Sequence, residues 1–216
     1  MSAILRFMQF AASDILSIII AILFSMGLHE AMHAFAAHWL GDTTASDLGR
    51  LTLNPLKHID IYMTLLLPVG LILLGLPPIF AAKPVPFNPM RVKYEEFGAA
   101  LVGLAGPLTN LLLAIAAAGV YRAGILPSSG ESFLIIFTSV NIAFFVFNML
   151  PIPPLDGSRL LYAVAPEPLQ KIMYQIETMG FMFLIIMLVL LLPVIGPVIS
   201  YLNSNILGFL LGVRVI

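Results

Sequence analysis

An all-α polytopic membrane protein is the fold class that this sequence predicts, and its composition and hydropathy support that prediction. Of the 216 residues, 60% are hydrophobic and only 10% are charged, whereas soluble domains carry about 25% charged residues. Four apolar runs lie at about 11–37, 98–121, 132–150 and 178–200. Each is close to the roughly 20 helical residues that cross a bilayer core. No repeat or linker separates them, so we expect one integral-membrane domain over 1–216 with a core at about 11–165.

The first run is expected to be a retained transmembrane helix. A single arginine, Arg6, precedes it, no small-residue cleavage pattern is visible, and the run continues directly into a polar cluster. Cysteine is absent from the sequence, which excludes disulfides, thiolate metal sites and a cysteine nucleophile.

A fifth apolar run, YMTLLLPVGLILLGLPPIF from Tyr62, is interrupted by prolines and glycines. Such residues break the helical hydrogen-bond ladder, so this run forms either a kinked span or a re-entrant hairpin. We favour a re-entrant segment at 62–82, because the chain then begins and ends this region on one side of the membrane. Residues 201–216 are short enough for an interfacial position.

Positive charge predicts the orientation of the chain. Half of the ten basic residues lie between the first span and Gly98, namely Arg50, Lys57, Lys83, Arg91 and Lys93. Cytoplasmic loops carry an excess of lysine and arginine, so we expect this region and the segment with Arg159 and Lys171 to be cytoplasmic. Arg6 and Arg122 are then outside.

The segment GLHEAMHAFAAHW at the end of the first run contains His29, Glu30 and His33 within one helical turn or little more. Residues four apart share one face of a helix and lie about 6 Å apart along its axis, so the two imidazoles can reach one metal ion. Glu30, displaced by about 100°, then lies beside the ion, where the base for a water nucleophile belongs. In the alternative interpretation the histidines bond across helices and Glu30 pairs with an arginine. Ionisable groups in spans are costly and usually functional, which favours the metal site.

A catalytic zinc takes three protein ligands and keeps one open position, and Asp156 is the candidate for the third ligand. It follows a helix break in FNMLPIPPLDGSRLL, where three prolines leave carbonyls unpaired. The alternative is that Asp156 is the N-cap of the next helix. An N-cap alone needs no such break, so we favour the metal-ligand interpretation, and one carboxylate can serve both purposes.

A further polar segment, LAGPLTN from Leu104, opens the second secure span. Gly103 and Gly106 permit another helix to approach closely, and Asn110 can hydrogen-bond to a neighbouring helix. On its own this segment favours packing over a catalytic role. His38 and His58 are expected at the interface or in solvent rather than at a metal.

With these segments the chain resembles the site-2 protease family of intramembrane zinc metalloproteases, most closely its small prokaryotic members without PDZ or CBS domains. The matching segments occur in the family's order and are HEAMH at His29, GRLTLNPLKHID at Gly49, KPVPFNP at Lys83, LAGPLTN at Leu104 and NMLPIPPLDG at Asn148.

This resemblance implies a hydrolase that cleaves peptide bonds within or near transmembrane segments. It implies one Zn²⁺ per chain on His29, His33 and Asp156, with Glu30 as the catalytic acid/base and Asn148 holding the substrate or the tetrahedral intermediate. The fold implied is a three-helix catalytic core with one or two additional spans. The expected location is the cell membrane, with the active site towards the cytoplasm, and the expected partners are the bilayer and a transmembrane substrate, with no nucleic acid.

The loop GRLTLNP, residues 49–55, has two interpretations from its residues. Its alternation suits a short strand that pairs with an unwound substrate, and it equally suits an amphipathic interfacial loop. The resemblance favours the strand, because the family has a membrane-associated strand region.

Two functions from other classes compete with proteolysis. A membrane transporter or metal-handling protein also places histidines and carboxylates at membrane depth, but it predicts polar residues spread through the bilayer. An inactive relative that binds membrane helices predicts a damaged ligand set, whereas His29, Glu30, His33 and Asp156 are all present.

Overall fold

The computed structural model describes residues 12–75, 80 and 82–212, and every regular element among them is helical. This confirms the predicted all-α class. The helices are α1 (Ala12–Trp39), α2 (Thr44–Asp47), α3 (Leu67–Leu73), α4 (Glu95–Arg122), α5 (Ser128–Asn148), α6 (Gly157–Val164), α7 (Glu167–Thr178) and α8 (Phe181–Leu211).

Four of these helices are long and apolar enough to cross a membrane, as predicted. The candidate spans are Asp14–Trp39, Glu95–Arg122, Ser128–Asn148 and Ile185–Leu211. The last helix, α8, has 31 residues, or about 46 Å at 1.5 Å per residue. It ends at Gly212, whose φ of +73° is the left-handed conformation common after a helix. A helix of this length exceeds a bilayer core of about 30 Å, so the interfacial position suggested for 201–216 stays a prediction, and residues 213–216 lie outside the described part.

The three-helix core predicted from the spans is present. Helix α4 packs against both α1 and α5, and α1 and α5 also touch each other. Small residues on α4, including Ala114, allow the close approach of Ile142 and Val146 from α5. Helix α8 completes this cluster from the outer side through Ile199 and Ile206.

The segment between α1 and α4 enters and leaves the fold at one place. Its helical part, Ile61–Leu73, is only 13 residues long, or about 20 Å, which is shorter than a bilayer core of about 30 Å. After it the chain returns, because the Lys83 amide donates to the His58 carbonyl at 2.9 Å. These facts agree with a re-entrant segment at 62–82. Residues 76–79 and 81 lie outside the described part, so the course of its tip stays a prediction.

Contacts at the helix ends show that the loops lie on two opposite faces of the helix bundle. The Lys93 amide donates to the Leu40 carbonyl at 2.8 Å, so the end of α1 meets the start of α4. At the opposite face Gly212 packs against the Arg122 guanidinium. Arg159 lies over the ring of Phe87 at 5.7 Å, so the two basic regions meet on the first face, and Arg122 lies on the other. Arg6 lies outside the described residues.

The strand predicted near residues 49–55 is not formed in the described part of the chain. Residues 50–54 are irregular, and a 3-10 turn, Pro55–His58, follows them. A strand needs a ladder partner, but the Thr52 carbonyl is bound by the His58 imidazole at 3.1 Å. This loop still lies against the core, because Pro55 packs directly onto Gly27 of α1.

Candidate metal centre

Helix α1 presents both histidines of the HEAMH segment to the inside of the core. The ring of His29 is 6% exposed, and its plane meets that of His33 at 83° with centroids 4.6 Å apart. Their Nε2 atoms lie 3.0 Å apart. The spacing of four residues therefore brings two imidazole nitrogens to one point, as predicted.

Asp156 reaches the same point from the break after α5. Its Oδ2 lies 3.0 Å from His29 Nε2 and 3.3 Å from His33 Nε2. Although Asp156 occupies the N-cap position of α6, its side chain makes no capping hydrogen bond, so the capping interpretation fails. The turn is fixed behind it by Gly157, which packs against the Met149 carbonyl.

The electrostatics of Asp156 favour its ionised form. Burial alone raises the pKa of a carboxyl group, but without a metal the charge of a protonated His33 and the hydrogen bonds that protonated His29 and His33 donate to Asp156 outweigh it. The pKa of Asp156 therefore lies well below its ordinary value. A carboxylate that stays ionised is the form that binds a metal.

The hydrogen bond made by Nδ1 of each imidazole determines whether Nε2 has a free lone pair for a metal. His33 Nδ1 lies 2.7 Å from the Val102 carbonyl, which only accepts, so Nδ1 carries the proton. His29 Nδ1 lies 2.6 Å from Asn110 Oδ1, likewise an acceptor. In the neutral rings both Nε2 atoms are then bare lone pairs. Two lone pairs and a carboxylate oxygen converge, and a cation between them removes their mutual repulsion.

The donor set fits zinc in kind and in spacing. His29, His33 and Asp156 offer atoms that all lie within 4.8 Å of one another, and the closest pairs are 3.0–3.3 Å apart. A tetrahedral zinc with bonds of about 2.1 Å separates its ligands by about 3.4 Å. Nitrogen and carboxylate oxygen are ligands that catalytic zinc takes.

Glu30 points beside this group and is held by a segment that we call the proline segment, residues 83–87. The Val85 amide donates to Glu30 Oε2 at 2.9 Å. Val85 itself is buried against Ala34 and Ala45. Farther along, Phe87 lies under the Arg159 guanidinium at 5.7 Å. Among the described contacts, the Val85 amide is the hydrogen-bond donor to Glu30, and it occupies Oε2.

Helix α4 closes the site from the third side at Gly106. A Cβ at this position would lie 2.3 Å from His33 Nε2 and 2.6 Å from His29 Nε2. Only a residue without a side chain lets α4 approach the imidazoles so closely. The sequence prediction that this glycine permits close helix approach is confirmed, and the approaching partner is the histidine pair.

The remaining predicted residues make no hydrogen bond or ion pair with the three ligand candidates in the described part of the chain. Asn148 is the last residue of α5, half-buried, and among the described contacts it makes no hydrogen bond to the three ligand candidates. His58 is 1% exposed rather than solvated, because it closes the loop through the Thr52 carbonyl. His38 is half-buried near the end of α1.

Sequence reasoning missed two parts of the site. The Val85 amide is a backbone group, which no residue-type pattern reveals. Asn141 lies in the middle of a span and is fully buried; its polarity at that depth was the signal that singles out such a residue.

Comparison with known proteins points to proteases. The model of Peptidase family M50 matches residues 119–192, a range that includes Asp156 but not the two histidines. The chain is 34% identical over 193 residues to "Putative zinc metalloprotease YwhC" of Bacillus subtilis, covering 85% of each chain. No solved structure matches the chain.

Mycobacterial proteins are similar as well. The chain is 34% identical over 175 residues to "Putative zinc metalloprotease Rip2" of Mycolicibacterium smegmatis, covering 77% of this chain and 64% of that protein. The Rip2 protein of Mycobacterium tuberculosis is 32% identical over 173 residues, with 63% of its length covered. The chain therefore spans less than two thirds of these relatives.

Proposed function

Since the chain belongs to peptidase family M50, the site-2 protease family, and is a multi-pass membrane metallopeptidase, we propose that it is a zinc endopeptidase of the HExxH type. In this proposal His29, His33 and Asp156 hold one zinc ion and Glu30 is the catalytic base. The observation that carries it is the convergence of two bare imidazole nitrogens and an ionised carboxylate within 3.0–3.3 Å.

The reaction proposed is hydrolysis of a peptide bond at membrane depth. When bound, zinc supplies a Lewis acid that polarises a carbonyl and lowers the pKa of water towards about 7. Glu30 takes the proton as water attacks the peptide carbonyl and later delivers it to the leaving amine. The Val85 amide fixes one oxygen of Glu30, which leaves the other to accept that proton.

Asn148 is proposed to bind the substrate carbonyl during attack. It ends α5 at the rim of the break that delivers Asp156, and its carboxamide is free of the hydrogen bonds that hold the described site. An amide donor placed there stabilises an oxyanion.

The substrate is proposed to be a membrane segment that unwinds beside the 49–55 loop. A helix conceals its carbonyls in its own hydrogen bonds, so local unwinding must precede cleavage, and the freed groups need partners in lipid. The loop packs on α1 close to the metal centre, because Pro55 contacts Gly27, three residues before Glu30. Leu53 is 57% exposed, so this edge is accessible to an extended peptide that adds as a strand.

The active site is proposed to face the cytoplasm. The basic loops and the end of α1 with its histidines share one face of the bundle, and positively charged loops remain in the cytoplasm. A transporter is not favoured, because His29, His33 and Asp156 meet at one centre rather than along a path.

The decisive experiment compares the wild type with Glu30→Gln and a matched control, Glu95→Gln, which removes an exposed carboxylate at the start of α4. Zinc is measured by elemental analysis and cleavage with a transmembrane reporter peptide in detergent. We expect about one zinc in all three proteins and a loss of roughly 10²- to 10⁴-fold in cleavage rate for Glu30→Gln alone. Equal rates in all three would reject Glu30 as the base. Zinc without cleavage of any reporter by the wild type would reject the protease.

A further inference from the structure

A chain of buried amides crosses three helices behind His29. Asn110 on α4 is 0% exposed, as is Asn141 on α5. Asn110 Oδ1 lies 2.6 Å from His29 Nδ1, and Asn110 Nδ2 donates to Asn141 Oδ1 at 2.9 Å. Asn141 Nδ2 donates in turn to the Phe137 carbonyl at 2.9 Å. A single line of hydrogen bonds therefore joins α1, α4 and α5.

The direction of every hydrogen bond in this line follows from the acceptor at its far end, the Phe137 carbonyl. The Phe137 carbonyl only accepts, so the amide nitrogen of Asn141 must face it and the oxygen of Asn141 must face Asn110. Asn110 Nδ2 then donates to that oxygen and also to the Ser25 carbonyl at 3.3 Å. The side-chain oxygen of Asn110 therefore faces His29 Nδ1. Rotation of the Asn110 carboxamide by 180° would oppose acceptor to acceptor at both contacts.

We propose that Asn110 is a positioning residue that fixes the tautomer and ring orientation of His29 for zinc. Because its oxygen accepts from Nδ1, the imidazole proton is held there and the Nε2 lone pair points at Asp156 and His33. Asn141 and Ser25 act one step farther out by preventing rotation of the Asn110 carboxamide. This inference rests on the proposed role of His29 as a zinc ligand.

The buried, membrane-spanning surroundings explain why a carboxamide rather than a carboxylate accepts the hydrogen bond from His29 Nδ1. Metal-bound histidines commonly donate to a carboxylate, a backbone carbonyl or water, and His33 uses the Val102 carbonyl. Ser25, Asn110 and Asn141 are all fully buried within spans, where a second ionised carboxylate would be costly. A neutral carboxamide accepts the same hydrogen bond without adding charge, and its two donors anchor it to the neighbouring helices.

The test uses Asn110→Leu, Asn110→Asp and Asn141→Ala, with Thr109→Val as control. Thr109 is the adjacent residue on α4, and its hydroxyl donates to the Ala105 carbonyl of its own helix. Asn110→Asp keeps an oxygen towards His29, and in its protonated form it also keeps a donor towards Asn141. Zinc affinity is measured by competition with a chelator, without substrate.

The expected order of zinc affinities follows the bonds retained. Asn110→Leu should bind zinc about 10- to 100-fold more weakly, Asn141→Ala should fall between it and the wild type, and Asn110→Asp and Thr109→Val should stay near the wild type. Equal weakening by Thr109→Val, or wild-type affinity in Asn110→Leu, would overturn the inference.

A second measurement reads the tautomer directly. The chain has only four histidines, so ¹⁵N-histidine labelling of the metal-free protein gives a simple NMR spectrum, in which His29 is assigned by its loss in His29→Gln. We expect His29 to carry its proton on Nδ1 in the wild type and to become a mixture of tautomers in Asn110→Leu. Should Asn110→Leu not fold, Asn110→Ser, whose hydroxyl is one bond shorter than the amide, takes its place.

The outcomes separate this inference from the proposed function. A wild-type His29 that carries no proton on Nδ1 would refute the role of Asn110 whatever the variants do, even in an active protease. Conversely, the predicted tautomer and affinity changes in a protein that cleaves no peptide would support Asn110 and reject the protease. Neither readout requires turnover.

Discussion

Gly106→Ala tests how closely α4 must approach the histidine pair. The added Cβ would lie 2.3 Å from His33 Nε2 and 2.6 Å from His29 Nε2, whereas carbon makes favourable contacts at about 3.5 Å. Either α4 or the imidazoles must therefore move by about 1 Å. Metal sites tolerate deviations of only about 0.2 Å in ligand distances, so this displacement is several times larger than the site allows.

The energetic cost follows from overpacking. Inserting a methyl group into a packed interior costs about 1–3 kcal/mol, which corresponds to roughly 5- to 150-fold weaker zinc binding if the strain falls on the ligands. The assay is zinc affinity by chelator competition together with reporter cleavage. The bundle should still fold, because the strain is confined to one helix contact.

A glycine on the same helix provides the control. A Cβ at Gly119 meets nothing within 4 Å, so Gly119→Ala should leave zinc affinity unchanged and stabilise α4 by about 0.5–1 kcal/mol. If Gly106→Ala binds zinc and cleaves as the wild type does, the proposed contact between α4 and the imidazoles is wrong.

Two further predictions concern the loops around the centre. Val85→Pro removes the amide that binds Glu30 at 2.9 Å; since a hydrogen bond to a charged group contributes about 1.5–3 kcal/mol, kcat should fall roughly 10- to 100-fold with unchanged zinc content. Val85→Ile keeps the amide and should be active, and full activity of the proline variant would remove Val85 from the mechanism. Leu53→Pro removes a backbone hydrogen-bond donor from the exposed edge of the 49–55 loop and should abolish reporter cleavage while zinc is retained. Leu53→Val keeps the donor and should cleave normally. Wild-type turnover by the proline variant would exclude strand addition at this loop.

The residues of the candidate site were predictable because ionisable side chains cost free energy in a membrane and are therefore rare there unless they have a function. Two histidines and a glutamate in one helical turn, and an aspartate after a proline break, have few uses at that depth other than a metal site. The structure brings His29, His33 and Asp156 together and gives the carboxylate no capping bond. The sequence pattern thus identified the cluster, although the zinc roles of its members stay proposals.

Other features depend on contacts that a linear sequence does not encode. Asn110 had packing as its favoured interpretation, because nothing in LAGPLTN indicates that its partner is an imidazole 81 residues earlier. The burial of His58 depends on the closure of its loop onto Thr52. The continuation of α8 to Leu211 was not predicted, because the apolar run identified in the sequence ends at about residue 200.

The proline segment has a consequence for the enzyme's own integrity. Pro84 and Pro86 flank Val85 and have no amide hydrogen, so these three residues offer one N–H in total, and Glu30 already accepts it. An extended peptide cannot align along such an edge, because strand pairing needs regularly spaced donors. The segment that binds Glu30 is therefore poorly suited to pair with an extended peptide, and if Glu30 is the proposed base, this keeps the segment from taking the place of a substrate.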